Sequence, residues 1–250
     1  MLILYVILTG FVSCTQRSLP DQPGSKPPPH EVWNKLLHAH VSPEGKVNYK
    51  GFIKDSVLLN QYLDTLSRHP PDKNSWSKEE QLAYWINAYN AFTVKLIVSH
   101  YPVKSIQDLH PKPYVPMVLT VWHIKFFKIG GIDFNLDQIE HSILRKEFDE
   151  PRIHFAIVCA SFSCPPLRPE AFIATKINRQ LDDQARIFIN NPAPNSLSEN
   201  NVEISQIFNW FNGDFTKKGS LINFLNQYST VKIKSSAKVK YKEYDWSLNE

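Results

Sequence analysis

Two cysteines, Cys159 and Cys164, bracket the loop Ala160-Ser161-Phe162-Ser163, which follows the apolar run Ile153-His154-Phe155-Ala156-Ile157-Val158 and precedes Pro165-Pro166. A thiol acts as a nucleophile only as thiolate, and forming the thiolate takes a nearby base or an electropositive setting. Three readings of the pair are open. One thiol attacks an amide or ester carbon, as in thiol hydrolases and acyl transferases, with Ser161 or Ser163 lending hydrogen bonds. Alternatively the two thiols close a structural or redox-labile disulfide, which requires the loop to reverse direction. In the third reading both are small core residues without reactivity. No Cys-x-x-Cys or His-Glu-x-x-His spacing is present, so neither a metal nor another cofactor is expected.

A base for the thiol has two candidates. The run Ile153–Cys159 reads as a strand, and residues five apart on a strand face opposite sides, roughly 16 Å from one another. His154 is therefore poorly aimed at Cys159. His141 lies on the helix expected over Leu136 to Phe148 and is free to approach. On that helix Leu136, Ile139, Ile143 and Leu144 define a buried arc, and Glu140 falls inside it. A carboxyl among apolar residues must find a cation or hydrogen bonds, or have its pKa raised. Asp137, His141 and Arg145 follow at four-residue steps along one flank, where a carboxylate can orient an imidazole. The expected catalytic set is thus Cys164 or Cys159 as nucleophile and His141 as base, oriented by Asp137 or Glu140. His154, Asn90, Asn87, Ser163 and Arg145 are expected to line the site.

The elements that must hold these groups follow from periodicity and breakers. His30 to His40 and Asp55 to Arg68 read as helices, the second stopped by Pro70-Pro71. Ser77 with Glu80 forms a capping box for a long helix that ends before Pro102. Its face carries Leu82, Trp85, Ile86, Tyr89, Phe92, Leu96 and Ile97, with Asn87 and Asn90 at the edge. Such buried amides need partners, and neighbouring loop backbone is the expected one. Val118 to Phe134 reads as a β-hairpin turning at Gly130-Gly131. Thr175 to Ile189, Ile207 to Phe211 and Ser220 to Tyr228 read as helices. From Val231 to Trp246, apolar residues alternate with Lys232, Lys234, Lys238, Lys240 and Lys242, the wet face of a strand or, alternatively, a surface for anionic lipid. The pattern is α+β: a helical N-terminal half packed on a small, mostly antiparallel sheet in a single domain, without βαβ rhythm or a Gly-rich phosphate loop.

The chain has 250 residues and a formal net charge of +4, too little to argue for a nucleic-acid partner. Residues 1–13 read as a signal peptide whose apolar run ends in Phe11-Val12-Ser13-Cys14, similar to a bacterial lipobox. Lipidation of Cys14 would anchor the protein to a membrane, facing the periplasm of a bacterial envelope. Residues 14–29 then form the lipidated, Pro-rich tether, and 30–250 the folded domain.

Six segments carry a family resemblance. They are Tyr84-Trp85-Ile86-Asn87-Ala88-Tyr89-Asn90-Ala91, Leu136 through Arg145, Pro151 through Cys159, Ser163-Cys164-Pro165-Pro166-Leu167, Ile204 through Trp210, and Tyr244-Asp245-Trp246-Ser247-Leu248-Asn249. In this order they resemble the domain of unknown function 547 family of bacteria and plants, with Ala160 where relatives often carry Gly. The resemblance implies a site around the matched residues and supplies no reaction. The functional expectation is a thiol-dependent hydrolase or acyl transferase acting on an amide or ester. The alternative is a binding module built on a structural polar network or a Cys159–Cys164 disulfide.

Overall fold

The computed structural model describes residues 24–116 and 118–250, together with Leu19. Cys14, the apolar N-terminal run and most of the tether lie outside the described residues. At the end of the expected tether, Pro28 is buried and Ser25 accepts hydrogen bonds from the Trp76 indole at 3.0 Å.

Helices α1 (Glu31–His40), α2 (Tyr49–Lys54) and α3 (Ser56–Arg68) pack around α4 (Lys78–His100). The expected capping box is present: Ser77 Oγ accepts from Glu80 N, and the Glu80 carboxylate accepts from Ser77 N at 2.7 Å. Every α4 residue from Gln81 to Val94 is buried, so this helix is a central post rather than an amphipathic cover. The hairpin β1 (Phe127–Ile129) and β2 (Ile132–Phe134) turns at Gly130 and Gly131, which take φ of +59° and +79°. A two-residue turn with both φ values positive matches strand twist, and glycine adopts it freely.

A π-helical segment, Gln138–Leu144, continues into the short α5 (Arg145–Glu147), and a 3₁₀ turn spans Pro151–Phe155. Helix α6 (Ile177–Ile189) follows, then β3 (Ser196–Leu197), β4 (Asn201–Ile204), α7 (Ile207–Trp210), α8 (Asn212–Phe215), α9 (Leu221–Tyr228) and β5 (Lys238–Tyr241). Strand β4 pairs antiparallel with β3 and parallel with β5. The architecture is α+β, with helices carrying two small sheets among the described residues. No described helix is long and apolar enough to cross a membrane.

Two expectations are corrected. The run Ile153–Cys159 is not a strand. Pro151 begins a 3₁₀ turn, and Ile153 through Val158 are buried without alternation. The segment is the seam between two apolar clusters. Ile153, Ala156, Ile157 and Val158 join the one around α1–α4, while Phe155 joins Phe188, Phe208, Phe215 and Phe224 in the other. A continuous apolar run therefore reflects burial on all sides, which periodicity alone does not separate from a strand. The lysine-rich C-terminal stretch forms only β5 as strand. Lys234 there pairs with Glu199 at 3.0 Å, and the Lys242 ammonium donates to Pro192 O and Ala193 O.

Candidate functional site

The cysteine loop is held by side-chain amides where a sheet would use backbone. Asn90 donates to Ala156 O at 2.8 Å and accepts from Val158 N at 2.9 Å. Gln184 donates to Phe155 O at 3.1 Å and to Pro166 O at 2.9 Å. Asn87 makes the same two-way contact with Phe172, donating to its carbonyl at 2.8 Å and accepting from its N–H at 3.0 Å. Both asparagines were expected to line a site, and the structure engages both amides with loop backbone.

Ala160 turns the loop back on itself with φ of +61°, the left-handed conformation that favours glycine. The C-terminal tail then zips onto the loop. Phe162 N donates to Ser247 O at 2.6 Å, Ser163 N to Asp245 O at 3.1 Å, and Asp245 N to Ser163 Oγ at 2.9 Å. Ser163 is thus a clamp for the tail, and Ser161 is the serine that faces the thiols. From the other side Gly45 presses on Pro166, where an added Cβ would lie 2.3 Å from the proline Cβ.

This scaffold turns the two sulfurs toward each other. Cys159 Sγ and Cys164 Sγ are 3.3 Å apart, both thiols are free, and both residues are partly exposed. Ser161 Oγ lies 3.0 Å from Cys159 Sγ and Tyr244 OH lies 3.3 Å from it, with 3.0 Å between the two hydroxyls. The Cys159 N–H donates to Cys164 Sγ at 3.0 Å. Hydrogen bonding from the Cys164 thiol holds the Cys159 pKa down to about 6; burial opposes it, and the Ser161 and Tyr244 hydroxyls and the Ser161 N–H reinforce it. Burial and the neighbouring Cys159 push Cys164 well up. The first proton therefore leaves from Cys159, and the Cys164 S–H donates to the resulting thiolate.

Neither histidine nitrogen pair reaches a sulfur. Among the described residues the sulfurs meet each other, Ser161, Tyr244 and the Cys159 N–H. His141 Nδ1 accepts from Arg145 Nη1 at 2.9 Å, and its Nε2 lies 3.6 Å from Asp137 Oδ1. Arg145 continues to Asp214 Oδ2 at 2.6 Å. His154 bonds the same carboxylate oxygen through Nε2 at 2.8 Å, and its ring stacks on Phe211 with centroids 3.9 Å apart. The flank Asp137–His141–Arg145 exists as expected, but it leads to Asp214 and His154. Burial lowers the His154 pKa, with Asp214 opposing, while hydrogen bonds from His154 and Arg145 hold Asp214 well below the usual carboxylate range.

Glu140 turns to α4 instead. Tyr89 OH, from α4, donates to Glu140 Oε2 at 3.1 Å. Burial raises the Glu140 pKa, His141 and Tyr89 oppose it, and the charge of Cys159 adds to the rise. Tyr89 is pushed well up by burial and then by charge on Glu140, Cys159 and Cys164. The carboxyl sits on a π-helical turn, a geometry that recurs at functional sites.

Tyr244, Tyr89 and Asp214 were missed by sequence reasoning. Tyr89 fits the apolar arc of α4 and reads as core. Tyr244 stands in the closing matched segment, where its hydroxyl was open to suspicion. Asp214, on the four-residue α8, carries no sequence signal. A cavity of about 160 Å³ reaches Cys164, between Ser163, Pro165, Glu44 and Lys46. Among the described residues no group of three or more His, Cys, Asp or Glu is arranged to hold a metal ion.

No curated protein and no solved structure matches the chain. Residues 73–189, which hold Tyr89, Glu140 and both thiols, match the family model described as "Protein of unknown function, DUF547", so this segment is similar to that family.

Proposed function

We propose that the protein is a thiol-dependent hydrolase or acyl transferase with Cys159 as its nucleophile. The observation that carries this reading is the Cys159 sulfur itself, ringed by the Cys164 thiol, the Ser161 and Tyr244 hydroxyls and the Ser161 N–H. Such donors stabilise a thiolate near neutral pH without a histidine base. The thiolate attacks the carbonyl carbon of an amide or ester, and the amine or alcohol leaves with a proton. Glu140, kept protonated to higher pH by burial, is assigned as the source of that proton. Water or an acceptor amine then attacks the thioester carbon and passes its proton to the Glu140 carboxylate, and the carbon–sulfur bond breaks to return the thiolate. Tyr89 positions the Glu140 carboxyl. Lipidation of Cys14, and with it an address at the periplasmic face of a bacterial membrane, is part of the proposal and rests on the sequence of the N-terminus.

A panel of activated esters and thioesters, with intact-mass detection of the acyl adduct, tests this assignment. An adduct that forms on the wild type and on Cys164→Ala but not on Cys159→Ala supports it. An adduct that survives Cys159→Ala, or none with any donor, removes it.

A second reading has its own observation. The loop N–H groups of Phe162, Ser163 and Cys164 are all engaged, to Ser247 O, Asp245 O and Ser161 O. A loop so fully bonded internally also suits a non-catalytic binding module, for which acyl donors leave no adduct.

A further inference from the structure

We infer that Cys159 and Cys164 are a reversible dithiol–disulfide couple, so that an oxidant of the low-molecular-weight disulfide class withdraws the nucleophile and a thiol restores it. The inference rests on the reading of Cys159 as a nucleophile and names the regulation of that same site.

Three observations carry it. The sulfurs are 3.3 Å apart and face each other, so the bonding distance of about 2.05 Å needs only a small approach of the side chains. The loop between them is already reversed, by the left-handed Ala160 and by the turn in which Cys164 N donates to Ser161 O at 3.1 Å. Both residues are half-buried, and a cavity of about 160 Å³ opens on Cys164.

The two thiols are also unequal in the sense that exchange requires. Cys159 ionises first and opens the reaction, while Cys164 keeps its proton until the second step. The Cys159 thiolate attacks one sulfur of an external disulfide RSSR. A Cys159–S–S–R mixed disulfide forms, and RS⁻ leaves. Cys164 then gives up its proton to solvent and attacks the Cys159 sulfur. The internal disulfide forms and the second RS⁻ leaves, to be protonated. Two protein thiols are oxidised, and one external disulfide is reduced to two thiols. In the reverse direction RS⁻ attacks the Cys159 sulfur and Cys164 leaves, taking up a proton; a second RS⁻ then displaces the Cys159 thiolate, which the Ser161 and Tyr244 hydroxyls stabilise.

The test uses the full chain carrying Cys14→Ser, so that only the two site thiols remain of the three cysteines. The protein is equilibrated with mixtures of glutathione and glutathione disulfide, quenched with iodoacetamide and read by peptide mass. Alkylation of Cys159 and Cys164 is expected to fall together, roughly tenfold or more at the oxidising end, and to return on adding glutathione. A Cys164→Ser variant is expected to stop at a stable glutathione adduct on Cys159. A wild-type chain that accumulates that adduct, or keeps both thiols alkylatable throughout, overturns the inference. A disulfide that forms in a protein blank toward every acyl donor leaves the couple standing and removes the acyl-transfer reading alone.

Discussion

The Tyr244 hydroxyl stands 3.3 Å from the Cys159 sulfur, joining residues 85 apart in the chain. Tyr244 lies beyond the segment that matches the family model, and it is held by its neighbours. Its ring packs against Trp210 and Trp246, with centroids 4.8 and 4.6 Å away, while Asp245 and Ser247 bond the cysteine loop. The tail from Tyr244 to Asn249 is therefore part of the site, as is the turn around Gly45.

Tyr244→Phe keeps the ring between its indoles and deletes one donor to the thiolate. A hydrogen bond to a charged group contributes about 1.5 kcal/mol or more, so the midpoint of Cys159 ionisation should rise by about one pH unit. Labelling of Cys159 at mildly acidic pH should slow accordingly, with the unfolding midpoint in urea little changed. Unaltered labelling would show that the hydroxyl does not support the thiolate.

Glu140→Gln preserves an acceptor for Tyr89 and removes the acid. Burial raises the Glu140 pKa in the folded state. The stability this carboxyl contributes is present below its unfolded value of about 4.3 and lost as pH rises through the folded one. The variant should therefore gain stability over the wild type as pH increases toward neutral, seen in urea unfolding at a series of pH values. Acyl transfer should slow in the same variant, while alkylation of Cys159 persists.

Asn90→Leu removes both anchors of the seam, Ala156 O and Val158 N. Each is a buried backbone group left without a partner, so the loss should be about 2–4 kcal/mol in chemical unfolding. A loss below about 1 kcal/mol would mean that the seam is held elsewhere.

Acid sensitivity should trace to Asp214 and His154. Both pKa values are lowered in the folded state, Asp214 chiefly by its bond from His154 and His154 by burial. A lowered folded pKa gives stability that is present above the unfolded value and lost as pH falls. Stability should decline below about pH 6.5 as His154 is forced to charge, and again below about pH 4 as Asp214 is protonated. Asp214→Asn should cost about 2 kcal/mol at neutral pH, and the gap to the wild type should close below about pH 4.

Elements set by local chemistry were legible in the sequence. The Ser77–Glu80 cap starts α4 and the Gly130–Gly131 pair turns the hairpin, because in each case the deciding residues are neighbours. Buried Asn87 and Asn90 were legible as holders of loop backbone, since an amide in an apolar helix must be paired. The segment after Pro151 was not. Its apolar run satisfies its backbone through Asn90 and Gln184, from other helices, and no local pattern announces that. The thiol pair was visible, and so was the oddity of Glu140. The partners that decide the chemistry were not: Tyr89 is disguised as core, and Tyr244 reaches Cys159 only through tertiary pairing. His141 looked like the base because strand parity set His154 aside and the preceding helix left His141 free to approach, whereas Arg145 and Asp137 occupy its surroundings.

The central claim, that Cys159 is held as a thiolate, is tested most directly by its rate of iodoacetamide labelling against pH, read peptide by peptide. The account predicts a half-maximal rate near about pH 6 for Cys159 and no comparable step at Cys164 in that range. A Cys159 profile that rises only near the ordinary thiol value of about 8.5 would contradict it.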